Sequence, residues 1–416
     1  MKIRNNDNTV PTSKKKRATR GKLGATAQLR ATAIAMEADI LGCFRNDLRA
    51  GGFAGELSTA TALYLVLSSR VLDEPVSGAV KGESAAGKSY AVSAVANFFP
   101  KRASLAMTSA SDKALFHLKV SLRHRVLIFG EQHGMSSERL NYYIRELLSN
   151  GCIQQYAVRP GKGGHTTERS RTMGPTSFIT TATNDLHPEN ETRLLALRID
   201  ESRRATKKIM LAVARTFNHS KVKGKSQYSL EDWKTFQTWQ AAQPNKVHIP
   251  FAETLAELID PNSLRWRRDI GKLINLVATH ALLHRQTRRI GPNGVVAKIA
   301  DYRAIWKVLR KSFALSVEQS IDPSIRETVE AVRAIRSTPV TMDALAKQLG
   351  VDKSNAGRRY RKAAEAGFLM NRGRGAGHPY AIDLAAPLPD DDAVLPSPKA
   401  LSQAVKAARL GGKPRK

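Results

Sequence analysis

Acidic residues are scarce in this chain: 36 Asp and Glu stand against 67 Lys and Arg, a formal net charge of +31 over 416 residues. An imbalance of that size points to a polyanionic partner, with nucleic acid ahead of a membrane surface. Cysteine is nearly missing. Only Cys43 and Cys152 occur, far apart, which argues against a disulfide scaffold or a cysteine-based zinc site and fits a reducing cytoplasm. No apolar run approaches the ~20 residues of a membrane-spanning helix. Residues 1–32 have the charge of a targeting peptide but lack its apolar segment, so secretion is not expected. What remains is ordinary: 42% hydrophobic residues, enough for two or three domains with cores of their own.

The most informative stretch is Lys81 to Ser89, KGESAAGKS, which holds G-x-x-x-x-G-K-[ST] without a mismatch. Gly82 and Gly87 permit a tight turn whose N–H groups face inward, so that Gly82, Glu83, Ser84, Ala85, Ala86 and Gly87 can cradle phosphate oxygens. Lys88 supplies a mobile positive charge for the β- and γ-phosphates, and the Ser89 hydroxyl can ligate Mg²⁺. From Ser89 and Tyr90 onward the sequence reads as a helix whose N-terminal dipole also favours the phosphates. The rival reading, a glycine-rich surface turn, leaves the ordered series of strands and polar residues downstream without a purpose. These residues predict an NTP site.

Residues 1–30 read as a disordered basic arm and 31–76 as a helical lead-in interrupted at Gly51-Gly52. Val76 to Val80 is the candidate strand feeding the loop. Ser104 to Ser109 is a second, with a helix expected from Asp112 to Val120. Arg125 to Phe129 is a buried parallel strand ending at Gly130-Glu131-Gln132, where Glu131 can serve Mg²⁺ and the attacking water. The acidic pair usual there is reduced to one, filled either by Gly130-Glu131 or by Glu131-Gln132. After a helix from Glu138, two strands around Arg159 to His165 predict a basic hairpin with Lys162 and His165 at its end. Thr176 to Ala182 is another buried strand, and Asn184 after it can orient a water. Arg193 comes next at the sheet edge, suited to a neighbouring subunit's γ-phosphate.

Residues 202–248 look charged and irregular, an excursion within a core spanning 77–260. A helical lid is expected over 261–320, with Arg268 as a group that can reach the nucleotide. His280 and His284 sit four apart without a third ligand and read as helix-face residues, not metal ligands. Residues 325–384 read as a winged helix. Its second helix carries Lys353, Ser354, Asn355, Arg358 and Arg359, and its wing carries Arg372 and Arg374, all candidate DNA contacts. The rival is a helical cap with a solvated basic face. Residues 385–416 read as a disordered basic tail.

This order of phosphate loop, acidic strand, hairpin, Asn strand, Arg, lid and winged helix resembles the AAA+ ATPases. More specifically it resembles the MCM-like helicase-type ATPases of phages and mobile elements. The likeness also rests on Ser149 to Gln155, on Glu191-Thr192-Arg193 and on Arg268 through Ala281. It implies an α/β fold, a P-loop AAA+ core with a helical lid followed by a small winged helix-turn-helix domain. It implies ATP and Mg²⁺ as cofactors and a homo-oligomer, a hexamer among the options. The hairpin would line the channel, tracking DNA through Lys162 and His165. The expected function is a DNA translocase or helicase in replication of a mobile element, with a primase or replication protein as a possible partner and no membrane association. The alternative is a sequence-specific initiator or regulator that uses ATP as an assembly switch and unwinds nothing.

Overall fold

The computed structural model describes residues 25–111, 114–116, 118, 120–130, 137–161, 164–183, 188–217, 226–261, 263–318, 321–335, 339–373, 380–385, 388 and 394–411. The chain divides into two compact units, residues 1–250 with 271–309, and residues 251–270 with 310–416.

The first unit opens with α1 (Ala25–Met36), α2 (Ile40–Ala50) and α3 (Leu57–Ser68). Asp39 caps α2 by accepting from the Gly42 amide, satisfying one of the helix's orphan donors. The sheet and its connections continue as β1 (Gly78–Lys81), α4 (Lys88–Ala96), β2 (Ser104–Met107), β3 (Arg125–Phe129) and α5 (Glu138–Asn150). Next come β4 (Cys152–Gly161), β5 (Gly164–Met173), β6 (Thr176–Ala182), α6 (Pro188–Glu191) and β7 (Leu195–Arg198). Then α7 (Arg203–Phe217), α8 (Leu230–Ala241) and β8 (Val247–His248) lead to α9 (Ala252–Glu257) in the second unit.

Five strands form one sheet in the order β2-β3-β6-β1-β7, and every neighbouring pair is parallel. Sequence-adjacent β1 and β2 are therefore separated by β3 and β6. All seven residues of β6 are buried although three of them are Thr and one is Ser. Backbone carbonyls take up three of these hydroxyls: Thr176 Oγ1 donates to Arg125 at 2.9 Å, Ser177 Oγ to Val76 at 2.6 Å and Thr181 Oγ1 to Gly130, while Thr180 Oγ1 is buried without a partner among the described residues. One face of the sheet is covered by Leu140, Ile144 and Leu147 of α5, which meet Leu127, Phe129 and Phe178.

A second packing centre joins the lead-in helices to α8. Phe44 and Tyr64 stack at 4.2 Å, and Trp233 meets Phe98 edge-on at 5.7 Å. The buried indole of Trp233 donates to the buried Asp47 carboxylate at 2.9 Å, and the Gln227 and Tyr228 amides donate to the same group. Arg70 is also buried. Its guanidinium donates to the Leu67 and Gln237 carbonyls and to Gln237 Oε1, and lies 5.0 Å from the Phe99 ring centre. Each buried charge thus has hydrogen-bond partners that offset its desolvation.

The chain continues as α10 (Trp266–Leu283), β9 (Ile290–Gly291), β10 (Gly294–Val296) and α11 (Ile299–Glu318), with β8, β9 and β10 forming a small sheet. The second unit ends in α12 (Pro323–Ala334), α13 (Met342–Leu349), α14 (Lys353–Glu365), β11 (Leu369–Asn371), β12 (Ile382–Leu384) and α15 (Pro398–Gly411). Leu345, Ala356, Tyr360, Phe368 and Ile382 build its core, and Val340 bridges to Ile382 beside the β11–β12 pair.

Four expectations are corrected. α1 begins at Ala25, inside the stretch read as an arm, because Ala31, Ile34 and Ala35 are buried. Only a short turn at Ala114–Phe116 is described where a helix was expected from Asp112 to Val120. The supposed excursion contains α7 and α8; charged residues on the outer faces mask the buried period Trp233, Phe236, Gln237 and Gln240. The basic tail contains α15, anchored through Leu395 and the fully buried Leu401.

His280, at the end of α10, and His284, just after it, are buried. His280 Nδ1 lies 2.8 Å from Asp301, which also accepts from Arg288 and from the Lys298 amide. Burial, with the neighbouring His280 and Arg288, pulls the His284 pKa down to about 3. The folded chain therefore holds His284 neutral at pH values where an unfolded chain protonates it, near 6.5. Stability is retained above that value and lost as the pH falls below it. Lowering the pH from 6.5 to 5 should cost about 2 kcal/mol through this group, and His284→Asn should flatten the pH slope of the urea midpoint.

Candidate functional site

Because the sheet is parallel, β1, β3 and β6 end on one edge. β1 is buried at every residue and lies between β6 and β7, so the chain leaves the middle of the sheet at Gly82. Gly87 then adopts φ +86°, a conformation that L side chains resist, although a Cβ there would meet nothing within 4 Å. Backbone conformation and not space requires glycine at 87. Ala85 also takes a positive φ, of 64°. These two turns bring the chain round so that α4 starts at Lys88, with the Ala91 amide bonded to the Gly87 carbonyl at 2.9 Å.

Lys88 is almost fully buried. Its Nζ donates to the carbonyls of Gly82 at 2.8 Å and Glu83 at 2.6 Å, so the ammonium is held at the mouth of the loop. Glu201, just beyond β7, accepts from the Glu83 amide and closes the loop's other side. A Cβ at residue 82 would lie 2.7 Å from that carboxylate, so a larger residue there would displace the Glu201 side chain from the loop. An N-terminal helix dipole, an ammonium and the Ser89 hydroxyl next to it fit a nucleoside triphosphate and its divalent cation.

A cavity of about 380 Å³ adjoins the loop, lined mainly by apolar groups including Phe53, Ala86, Tyr90, Ile199, Ile209 and Val213. Phe53 and Tyr90 stack with ring centres 5.7 Å apart and planes 10° from parallel. The space suits a flat, weakly polar ring beside the phosphates. Sequence reasoning missed it, since its walls come from the α2–α3 connection, the start of α4 and the helix α7. One signal was available: Ala205, Ile209 and Ala212 share a face of a helix otherwise rich in Lys and Arg.

The opposite part of the edge is described up to Gly130, whose amide bonds to the Met107 carbonyl at 3.1 Å, and up to Thr183 after β6. Glu131 and Asn184 lie outside the described residues, as do Lys162 and Arg374. Lys81 and Glu191 form a buried ion pair that ties the root of the phosphate loop to α6. Arg193, just after α6, is half-buried and donates to Ser149 Oγ at 2.8 Å and to the Glu189 carbonyl at 2.5 Å. Lys272 Nζ, which the sequence did not single out, donates to the Thr192 carbonyl at 2.9 Å. Arg268 is exposed on α10 and belongs to the second unit.

In the second unit α14 buries Ala356, Tyr360 and Ala363 and exposes Ser354, Arg358 and Arg361 on the far side. Lys353 pairs with Asp343, Arg359 with Glu327 and Arg372 with Asp383, all as surface ion pairs of the weak kind. Asn355 accepts from Arg358 at 2.8 Å, and its amide is capped by Asp352. The backbone of His165 lies in β5, paired with Pro160. Among the described residues no helix is long and apolar enough to cross a membrane.

Filling the cavity should separate base binding from loop integrity. Ala212→Trp should raise the dissociation constant of a fluorescent ATP analogue at least tenfold while leaving inorganic triphosphate binding within about twofold, because only the cavity is blocked.

No curated protein matches the chain. Residues 55–229 match the family model described as the MTBMA_p00010 P-loop domain. That stretch holds the whole parallel sheet and the phosphate loop, and the match and the fold together support an α/β P-loop nucleoside-triphosphatase domain in the first unit.

Proposed function

We propose that the chain is an oligomeric, ATP-dependent DNA translocase or helicase acting in replication of a mobile element. One observation carries this reading. The long β4–β5 hairpin is inserted between α5 and β6, and β6 runs without a break from the hairpin's root to the edge that bears the phosphate loop. A fully buried, seven-residue strand about 23 Å long is a stiff link between the two ends. Movement at the nucleotide edge is therefore able to reposition the hairpin. The +31 charge and the basic outer face of α14 supply the attraction to DNA.

In this reading the loop from Gly82 to Tyr90 holds ATP, with Lys88 at the β- and γ-phosphates, Ser89 and Glu131 at Mg²⁺, and Asn184 at the attacking water. The bound cation would supply charge neutralisation at the transferring phosphoryl group. Arg193 and Arg268 are the groups proposed to complete the site, the first across a subunit interface. α12 to β12 act as a winged helix docking duplex DNA through α14, Arg372 and Arg374. A second reading, an ATP-switched initiator without unwinding, draws support from Arg193, which is held inside its own chain by Ser149 and Glu189.

Lys88→Ala should abolish ATP hydrolysis yet leave the melting temperature nearly unchanged, since its ammonium touches only loop carbonyls. Normal turnover in the folded variant would end the nucleotide reading. Single-stranded DNA should stimulate the wild-type ATPase severalfold; unaltered turnover favours the initiator. Arg193→Ala should bind ATP nearly normally and hydrolyse it roughly 10³-fold more slowly. Mixing it with Lys88→Ala, with subunit exchange verified, should restore measurable activity, and a mixture as inactive as its components would remove Arg193 from a shared site.

A further inference from the structure

The Arg193 side chain and the backbone that carries it are held by different groups. Ser149 and the Glu189 carbonyl take the guanidinium. The backbone first keeps a local turn: the Arg193 amide donates to the Asn190 carbonyl at 3.0 Å, and the Leu194 amide to that of Glu191 at 3.1 Å. Two further ties come from distant parts of the chain. Lys81, at the end of β1, pairs with Glu191. Lys272, in α10, donates to the Thr192 carbonyl at 2.9 Å, with a longer contact of 3.5 Å to the Leu194 carbonyl. Its ammonium therefore spans the residues on either side of Arg193, and all of them belong to the first unit.

The packing of α10 does not explain a lysine at this point. Leu273, Leu276 and Val277 are fully buried and supply the apolar area that seats the helix. Lys272 is half-buried, so its ammonium gives up part of its water, a cost that the two carbonyls must offset. A methionine would fill similar space without that cost. What the ammonium adds is a fixed place for the main chain on both sides of residue 193. It does so whatever rotamer the arginine adopts, because both contacts are to backbone oxygens. A group that acts on a transferring phosphoryl has to be held to within about 0.5 Å of its working place, so such a clasp has a use.

We infer that Lys272 is a positioning residue for Arg193, its ammonium setting where the guanidinium can be offered to a neighbouring subunit's γ-phosphate. The inference rests on the proposed shared nucleotide site and adds to it a residue that acts through Arg193.

Hydrolysis of radiolabelled ATP by the full chain, with ATP affinity and melting temperature measured alongside, tests it. Lys272→Met should lower kcat roughly 10- to 100-fold, the loss expected when a catalytic group shifts by about 1 Å. ATP affinity should stay within about twofold, because the phosphate loop is untouched. Lys272→Arg keeps donors for the carbonyls and should recover most of the turnover. Lys272→Gln, too short to span both carbonyls, should fall with Lys272→Met and guards against a folding defect peculiar to one variant. In the Arg193→Ala background, Lys272→Met should cost less than about twofold more, since nothing is left to position. If Arg193→Ala itself hydrolyses ATP at the wild-type rate, the shared site and this inference fall together. If Arg193→Ala is slow while Lys272→Met and Lys272→Gln turn over normally, the inference alone is overturned. Equal losses from Lys272→Met with and without Arg193 would overturn it as well, marking the lysine as a support for the fold at large.

Discussion

Backbone hydrogen bonds from β6 to β1 on one side and to β3 on the other hold the nucleotide edge together. They align the end of β1, where the phosphate loop begins, with Gly130 and Thr183 at the ends of β3 and β6. The Gly82 amide continues this ladder by bonding to the Ala182 carbonyl at 3.3 Å. A one-residue slip of β6 would turn its buried face and carry the Thr181–Gly130 contact away from the edge. Full burial of the strand on both faces is what makes that slip costly.

The loop itself depends on two kinds of constraint. Positive φ at Gly87 and Ala85 sets its path, and polar ties hold it in place. Lys88 bonds to two of its carbonyls, Glu201 to one of its amides, and the Lys81–Glu191 pair secures its root to the segment bearing Arg193. Loop, α6 and the end of α5 therefore share one connected set of polar contacts, through Arg193 with Ser149 and Asn190 with Asn141. Such a set ties the phosphate loop to the segment that bears Arg193.

Charge acts differently in the two parts of the molecule. Inside the first unit, Asp47, Arg70 and Asp301 are buried and each is surrounded by partners, so they lock α8, the lead-in helices and α10 into register. On α14 the charges are exposed or engaged only in surface pairs of the weak kind.

Much of this was legible in local sequence. The phosphate loop is readable because its chemistry demands Gly, Lys and Ser at fixed spacing, and the buried strands because Arg125–Phe129 is an apolar run and Thr176–Ala182 is rich in β-branched residues. The hairpin is readable from its glycine-rich turn. α8 and α15 were not, since their charged faces dilute the period that burial selects, and α7 was not, since it is rich in Lys and Arg and buries none of its described residues fully. The local sequence thus determined the loop, the strands and the basic helix α14, all of which depend on near neighbours along the chain. Only the tertiary structure decided the strand order, the cavity walled by Phe53, Tyr90 and Ile209, and the burial of His280 and His284 against Asp301. Those features join residues far apart in the chain, and such contacts form only when burial of the whole core offsets the entropy of closing the loops between them.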